Sequence, residues 1–436
     1  METLTVDTGC GKVSGRVVEN GVIFSGIPYA EAERFELPVE IKKWDGILDC
    51  TESPLEFLQM SSYADDSGRF FTKEFRPGAV YEYAESPLTL TVITPEKAEK
   101  CPVFVFIHGG GFHTGKQSEL PFGTSTEYAK RGIILVSISY RMNVFGLYRQ
   151  RNLCLWDQIT AVKWVSRNIA AFGGDPEKII VGGQSAGAMS VMTMLYNDQL
   201  KGIIKGAVMM SGGGFIPSFA SPWDARKAKP FWDKVEKTAG CSSEAELKKL
   251  PAEKVWKAWT EVRKTDDSVH LLQAGCDGIL VPDTPSEIRK TGNLLDIPVL
   301  IGVTSQDMYF SPLIFGIAKS FALWSAKRNR EEVYAYLFDR IPPGKRYKAF
   351  HGSDLWYAFG NMDKSWRPFS EKDFQIRDEM VDSFAQFIKT GSPGWPGISA
   401  HQKKFRYFGD RSFSMISGFC AFPTLLRYST VDRGPM

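Results

Sequence analysis

One pentapeptide constrains this chain more than any other feature. Gly183-Gln184-Ser185-Ala186-Gly187 is a G-x-S-x-G sequence set behind the strand-like residues 178–181 and ahead of a helix-forming stretch, 186–192. A serine at such a strand-to-helix turn takes a strained backbone conformation, and only small neighbours tolerate the crowding. That geometry lifts the hydroxyl clear of a sheet and aims it at a substrate. A chain with 40 glycines can carry the pattern by chance. Its weight comes from a second element upstream and two suitably ordered partners downstream.

The chain-wide properties exclude several classes. At 436 residues, with 43% hydrophobic and 24% charged content, it has the make-up of a soluble globular protein with a large core. The net charge is +3 and no run of five like charges occurs, so nucleic-acid binding has no electrostatic footprint. The longest apolar stretches, such as 133–138, fall far short of the ~20 residues of a membrane span. The N-terminus has no basic-then-apolar signal pattern, the seven cysteines show no C-x-x-C pairing, and there is no N-x-S/T sequon. These features lead us to expect free thiols and a cytoplasmic setting.

Strands alternate with helices along most of the length. Residues 4–24 read as an antiparallel meander punctuated by Gly9, Gly11 and the Asn20-Gly21 turn. Residues 88–92, 103–107 and 133–139 are strands, the second apolar throughout and hence buried on both faces. Leu155, Ile159, Val162, Val165 and Ile169 keep helical spacing. Beyond the serine come strands at 206–210 and 297–303, aromatic-rich helical segments at 310–340, an amphipathic helix at 373–389 and an edge strand at 404–408. The expectation is an α/β class chain forming one domain over 1–436: a mostly parallel central sheet, an N-terminal antiparallel meander, and a helical insertion at about 222–275.

Ester hydrolysis needs a nucleophile, a base, an acid to orient the base, and donors for the tetrahedral oxyanion. Ser185 is the candidate nucleophile. His108-Gly109-Gly110-Gly111-Phe112 follows the buried strand 103–107, and its glycines let backbone N–H groups face outward. The expected oxyanion donors are the amides of Gly110, Gly111 and Ala186. A phosphate loop would need G-x-x-x-x-G-K-[ST], which is absent here.

Of five histidines, His108 is placed to brace the glycine loop and His113 to sit at the rim. His270 lies in the polar insertion and His401 follows a Pro/Gly-rich turn. His351 stands on a loop, followed by glycine and downstream of serine and acid, and is the candidate base. The acid belongs just past the C-terminal end of a core strand, which selects Asp307. Asp283 is the rival but precedes a strand, and Asp354 reads as a helix N-cap. Phe112, Phe310, Phe315, Trp324 and Trp356 are weighed as pocket aromatics.

Taken together, these residues resemble the cholinesterase-like type-B carboxylesterases of the α/β-hydrolase superfamily. Phe24-Ser25-Gly26-Ile27-Pro28-Tyr29-Ala30 is similar to that family's opening F-x-G-I-P-Y-A. So are Tyr140-Arg141, Trp156-Asp157-Gln158, and the run from Trp164 through Phe172-Gly173-Gly174-Asp175-Pro176. Gly302 to Asp307 resembles G-V-N-x-D-E, and His351-Gly352 with residues 355–360 resembles H-G-x-E-I-P-Y-V-F-G. The C-terminal residues 387–393 also have a counterpart. The resemblance implies an α/β-hydrolase fold and the triad Ser185, Asp307, His351.

There are departures. The cysteine of the family's first disulfide is missing from residues 85–91, Gln184 stands where many relatives carry glutamate, and only 44 positions separate Asp307 from His351. The short segment leads us to expect a trimmed, more open site. The function expected is a serine carboxylic-ester hydrolase working through an acyl-enzyme on small-molecule esters, short-chain or aromatic, without metal or organic cofactor. The alternatives are a non-catalytic binding or adhesion relative, or a hydrolase of amides, carbamates or thioesters. Oligomeric state is not legible.

Overall fold

The opening alternation of apolar and polar residues folds as an antiparallel meander. β1 (Thr3–Thr8), β2 (Gly11–Val18) and β3 (Gly21–Pro28) pair in sequence, with Val6 opposite Val13 and Arg16 opposite Ile23. Asn20 turns the chain between β2 and β3 at φ 66°, a left-handed conformation that asparagine tolerates. This computed structural model describes residues 1–59, 70–76, 83–85, 87–215, 223–224, 228–265, 275–307, 311–328, 330–344, 348–399, 401–410 and 415–417.

The meander joins a parallel core. The remaining strands of the same sheet are β4 (Ile47–Asp49), β5 (Thr89–Thr94), β6 (Cys101–Ile107), β7 (Ile134–Ile138), β8 (Gly174–Gln184), β9 (Ile204–Met210), β10 (Val299–Thr304), β11 (Val333–Phe338), β12 (Lys404–Phe408) and β13 (Met415–Ser417). Their order is β1-β2-β3-β5-β7-β6-β8-β9-β10-β11-β12-β13, with β4 alongside β2. From β7 to β12 every neighbouring pair is parallel.

Helices supply the two cover layers that such a sheet needs. They include α1 (Phe70–Phe75), α2 (Leu153–Asn168), α3 (Ala186–Met194), α4 (Lys229–Ala239), α5 (Glu244–Lys249), α6 (Ala252–Thr265), α7 (Ser311–Ala326), α8 (Leu355–Phe359) and α9 (Glu371–Thr390). Alternate residues of β6 go to opposite sides because side chains alternate along a strand. Val103, Val105 and Ile107 join the layer of Trp164 and Val165 from α2. Phe104 and Phe106 join the layer of Phe384 and Phe387 from α9.

Arg141, just past β7, is fully buried against Asp157 of α2. Its backbone N–H and its Nε both donate to Asp157 Oδ2, at 2.9 and 2.8 Å, and Nη2 donates to Oδ1 at 2.7 Å. Two of the sequence segments singled out above are thus one ion pair.

Two expectations are modified. Helix through residues 310–340 holds only for α7; residues 333–338 are β11, whose aromatic and branched side chains are all buried between β10 and β12. The strand at 404–408 is not the sheet edge, because β13 pairs antiparallel outside it. Residues 229–265 hold α4, α5 and α6, flanked by a short parallel pairing of Trp223–Asp224 with Gly275–Cys276.

Candidate active site

Ser185 stands where β8 ends and α3 begins, at φ 57° and ψ −120°. Its N–H still donates to Met210 O of β9 at 2.9 Å, so the strand pairing continues up to the turn. Such a backbone costs ~1–3 kcal/mol and persists only where the surroundings enforce it. The flanking glycines show how. A β-carbon on Gly183 would collide with the Gly187 backbone, and one on Gly187 with the carbonyl oxygen of Ile107. The helix therefore packs directly on the end of β6.

The glycine loop lies against this turn. A β-carbon on Gly109 would stand 3.1 Å from the Ser185 β-carbon. Gly110 and Gly111 adopt φ 108° and 65°, and the amides of His113 and Thr114 both donate to Gly110 O at 3.0 Å. The amides of Gly110 and Gly111 donate to no acceptor among the described residues. Ala186 is the first residue of α3, where helix N–H groups have no intrahelical partner.

His108 braces the loop as expected. Its Nδ1 donates to Gly109 O at 2.8 Å, its ring stacks on Tyr140 with centroids 4.5 Å apart, and Tyr140 Oη donates to His108 O at 2.9 Å. Burial pulls its pKa down to about 4, so it is a neutral brace.

Asp307 follows β10, and His351 precedes α8. The amide of Gln306 donates to Ala349 O at 3.0 Å, tying the two loops together. His351 Nδ1 donates to Asp307 Oδ1, and Thr304 Oγ1 donates to Asp307 Oδ2 at 3.1 Å. Burial disfavours the charged imidazole, but the charge and hydrogen bond of Asp307, with a further contribution from Asp354, outweigh it and raise the His351 pKa above 6.5. With its Nδ1 proton committed to Asp307, Nε2 carries the lone pair. Gln184 Nε2 lies 3.2 Å from it and donates to it. No hydrogen bond joins Ser185 Oγ to His351 among the described residues.

The rival groups are placed elsewhere. Asp283 lies in the loop before residues 285–291. Asp354 occupies the N-cap position of α8 but makes no side-chain cap; its Oδ2 accepts from Tyr336 Oη at 2.9 Å. His113 is half-buried against Trp259 of α6, His401 is exposed, and His270 lies outside the described residues.

The aromatic candidates fare unevenly. Phe112 is buried beside the glycine loop. Phe315 packs on Phe405, Trp324 donates its indole N–H to Arg289 O, and Trp356 donates to Glu74, so these three serve the core. Phe310 lies outside the described residues. Sequence reasoning missed Phe71 of α1, whose ring meets His351 edge-on at 6.5 Å. The Phe70-Phe71 pair was its only signal.

A family model described as the carboxylesterase family matches residues 2–316 and 309–416. The chain belongs to the carboxylesterase family. It is similar to the para-nitrobenzyl esterase of Bacillus subtilis, with 29% identity over 90% of this chain and 91% of that protein. It also resembles the acetylcholinesterase of Bungarus fasciatus, with 26% identity over 96% of this chain and 86% of that protein. Among solved structures, a thermophilic para-nitrobenzyl esterase superposes with a TM-score of 0.81 at 26% identity, covering 93% of this chain and 96% of that one. A Geobacillus stearothermophilus carboxylesterase superposes with a TM-score of 0.75 at 25% identity, with the same coverage. The fold is accordingly that of the α/β-hydrolases, and this carboxylesterase is a serine carboxylic-ester hydrolase. No helix among the described residues is long and apolar enough to cross a membrane.

Proposed function

We propose that Ser185 is the nucleophile, His351 its general base, and Asp307 the acid that orients the base. Ser185 Oγ adds to the ester carbonyl as His351 Nε2 takes its proton. The imidazolium formed is stabilised by Asp307. The amides of Gly110, Gly111 and Ala186 face the developing oxyanion. The alkoxide leaves with the proton from His351, and water then frees the acyl group by the same steps in reverse roles.

The observation that carries this reading is the Asp307–His351 hydrogen bond beside a serine held at φ 57° against the glycine loop. In a substrate-free site, catalytic hydrogen bonds are often unformed and tighten once substrate is bound.

The substrates are carboxylic esters with short acyl chains or aromatic groups. Phe71 beside His351 and Phe112 beside Gly111 support that choice, as does the similarity to esterases named for a para-nitrobenzyl substrate. The thiols of Cys10, Cys50, Cys101, Cys154 and Cys241 are free, which supports a reducing, cytoplasmic setting.

The test is a fluorophosphonate probe followed by peptide mapping, run beside p-nitrophenyl esters of increasing chain length. A single adduct on Ser185 and fastest turnover of the short esters are expected. An adduct elsewhere, or turnover that survives Ser185→Ala, would overturn the assignment.

A further inference from the structure

Gln184 occupies a position that the reaction scheme leaves without a task. It is buried at the end of β8, immediately before the nucleophile. Its side chain bridges two parts of the site. Its Oε1 is turned toward Gly109 of the glycine loop, and its Nε2 is 3.2 Å from His351 Nε2. Gly352 borders this amide: a β-carbon there would be in van der Waals contact with Gln184 Nε2, at 3.4 Å. The amide is therefore wedged between the oxyanion side of the site and the base.

We infer that Gln184 is a positioning residue that holds neutral His351 in a resting state, its amide N–H occupying the Nε2 lone pair that must accept the proton of Ser185. The inference rests on the assignment of His351 as base. Two consequences follow from the hydrogen-bond inventory. A donor on Nε2 stabilises neutral imidazole, whereas imidazolium would present an N–H to an NH2 group, so Gln184 opposes protonation. The same donor competes with the Ser185 hydroxyl, so serine gains the base only when the amide gives way. No bond is made or broken in this exchange beyond hydrogen bonds.

Among the described residues, the other groups facing His351 are accounted for. From the loop after β10 comes Asp307, and from the start of α8 comes Asp354, whose carboxylate is bonded by Tyr336 of β11. From α1 the ring is met by Phe71, while Glu74 of that helix is tied to Arg367 in a buried ion pair. Gln184 alone among these side chains addresses Nε2.

The experiment compares pH profiles of kcat/KM for p-nitrophenyl acetate in the wild type, Gln184→Met and Gln184→Glu, with Ser185→Ala as blank. Met keeps the length and removes the donor; Glu replaces the donor by an acceptor for imidazolium. Gln184→Glu should move the acid limb up by about one pH unit, a roughly tenfold loss of rate on that limb. Gln184→Met should move it up by less and raise the plateau rate severalfold.

Coincident profiles for the wild type and Gln184→Met would overturn the inference while leaving the triad intact; turnover by Ser185→Ala would instead sink the triad itself. Should the Gln184 variants fail to fold, 15N NMR of histidine-labelled Ser185→Ala decides the matter. There no serine hydroxyl can be the donor, so a His351 Nε2 resonance at the free imine position would overturn the proposal, and an upfield, hydrogen-bonded position would uphold it.

Discussion

A β-carbon placed on Gly187 would overlap the carbonyl oxygen of Ile107, the last residue of β6. Neither partner can move cheaply, because the oxygen is backbone and the glycine is buried in the first turn of α3. The last glycine of the pentapeptide is thus a contact between helix and sheet, and the height of Ser185 above the sheet depends on it. Gly187→Ala should cost at least about 3 kcal/mol, the upper end for overpacking. Thermal melts of the purified variant would show this, and an unshifted melting temperature would mean that the contact is looser than described.

Ser185 pays for its position in backbone strain, so removing function should not remove stability. Ser185→Ala should lower kcat by at least about 10⁴-fold. Ser185→Gly should be as inactive and, with φ 57° now unstrained, should melt about 1–5 °C higher. Differential scanning calorimetry beside an ester assay separates the two effects. A glycine variant that melts lower than wild type would contradict the strain argument.

Asp307→Asn leaves the hydrogen-bond geometry nearly unchanged but no longer favours the Nδ1–H tautomer or the imidazolium. A fall in kcat of about 10⁴-fold is expected, as for the corresponding change in serine proteases. The raised His351 pKa should fall at the same time. Titration of the His351 ring by NMR in the variant would check the second point independently of turnover.

The wild-type pH profile has a definite sign. The base must be neutral, and its pKa lies above 6.5, so kcat/KM should fall on the acid side with a midpoint above that value. For folding the same shift acts oppositely: its contribution is full below the unfolded-state pKa and is lost as pH rises through the folded value. A rate flat from pH 5 to 8 would count against His351 as the base.

Asp354 provides a test of the site's dielectric. Its carboxyl is fully buried and its Oδ1 has no hydrogen-bond partner among the described residues, and burial pushes its pKa from 3.8 to about 7. Relative to a neutral isostere, the native state carries a growing cost as pH rises from 3.8 through about 7. Asp354→Asn should therefore gain melting temperature relative to wild type at both pH values, and clearly more at pH 8.5 than at pH 5. Equal differences at the two pH values would mean that the carboxylate is solvated.

The residues proposed to carry the chemistry were legible because each is marked by its place in the chain. The glycines at 183 and 187 and the triplet at 109–111 mark close backbone approaches, and Asp307 and His351 sit past predictable strand and loop ends. The opening meander and the apolar run of β6 were legible through their periodicity. Residues 333–338 were not. An aromatic-rich run of six residues suits a buried strand or a buried helix equally, and only the vacancy between β10 and β12 selects the strand. Likewise β12 looked like an edge until β13 paired outside it.

The sequence by itself indicated the glycine-flanked turn at Ser185, the glycine loop and the chain order of the proposed serine, acid and base, because glycine placement and strand periodicity are read along the chain. The tertiary structure alone decided what addresses the imidazole besides Asp307: Gln184 on the other nitrogen and Phe71 against the ring's edge. Gln184 and His351 are 167 positions apart. A hydrogen bond across that separation depends on how sheet, loop and helix pack, and no local pattern of residues encodes it.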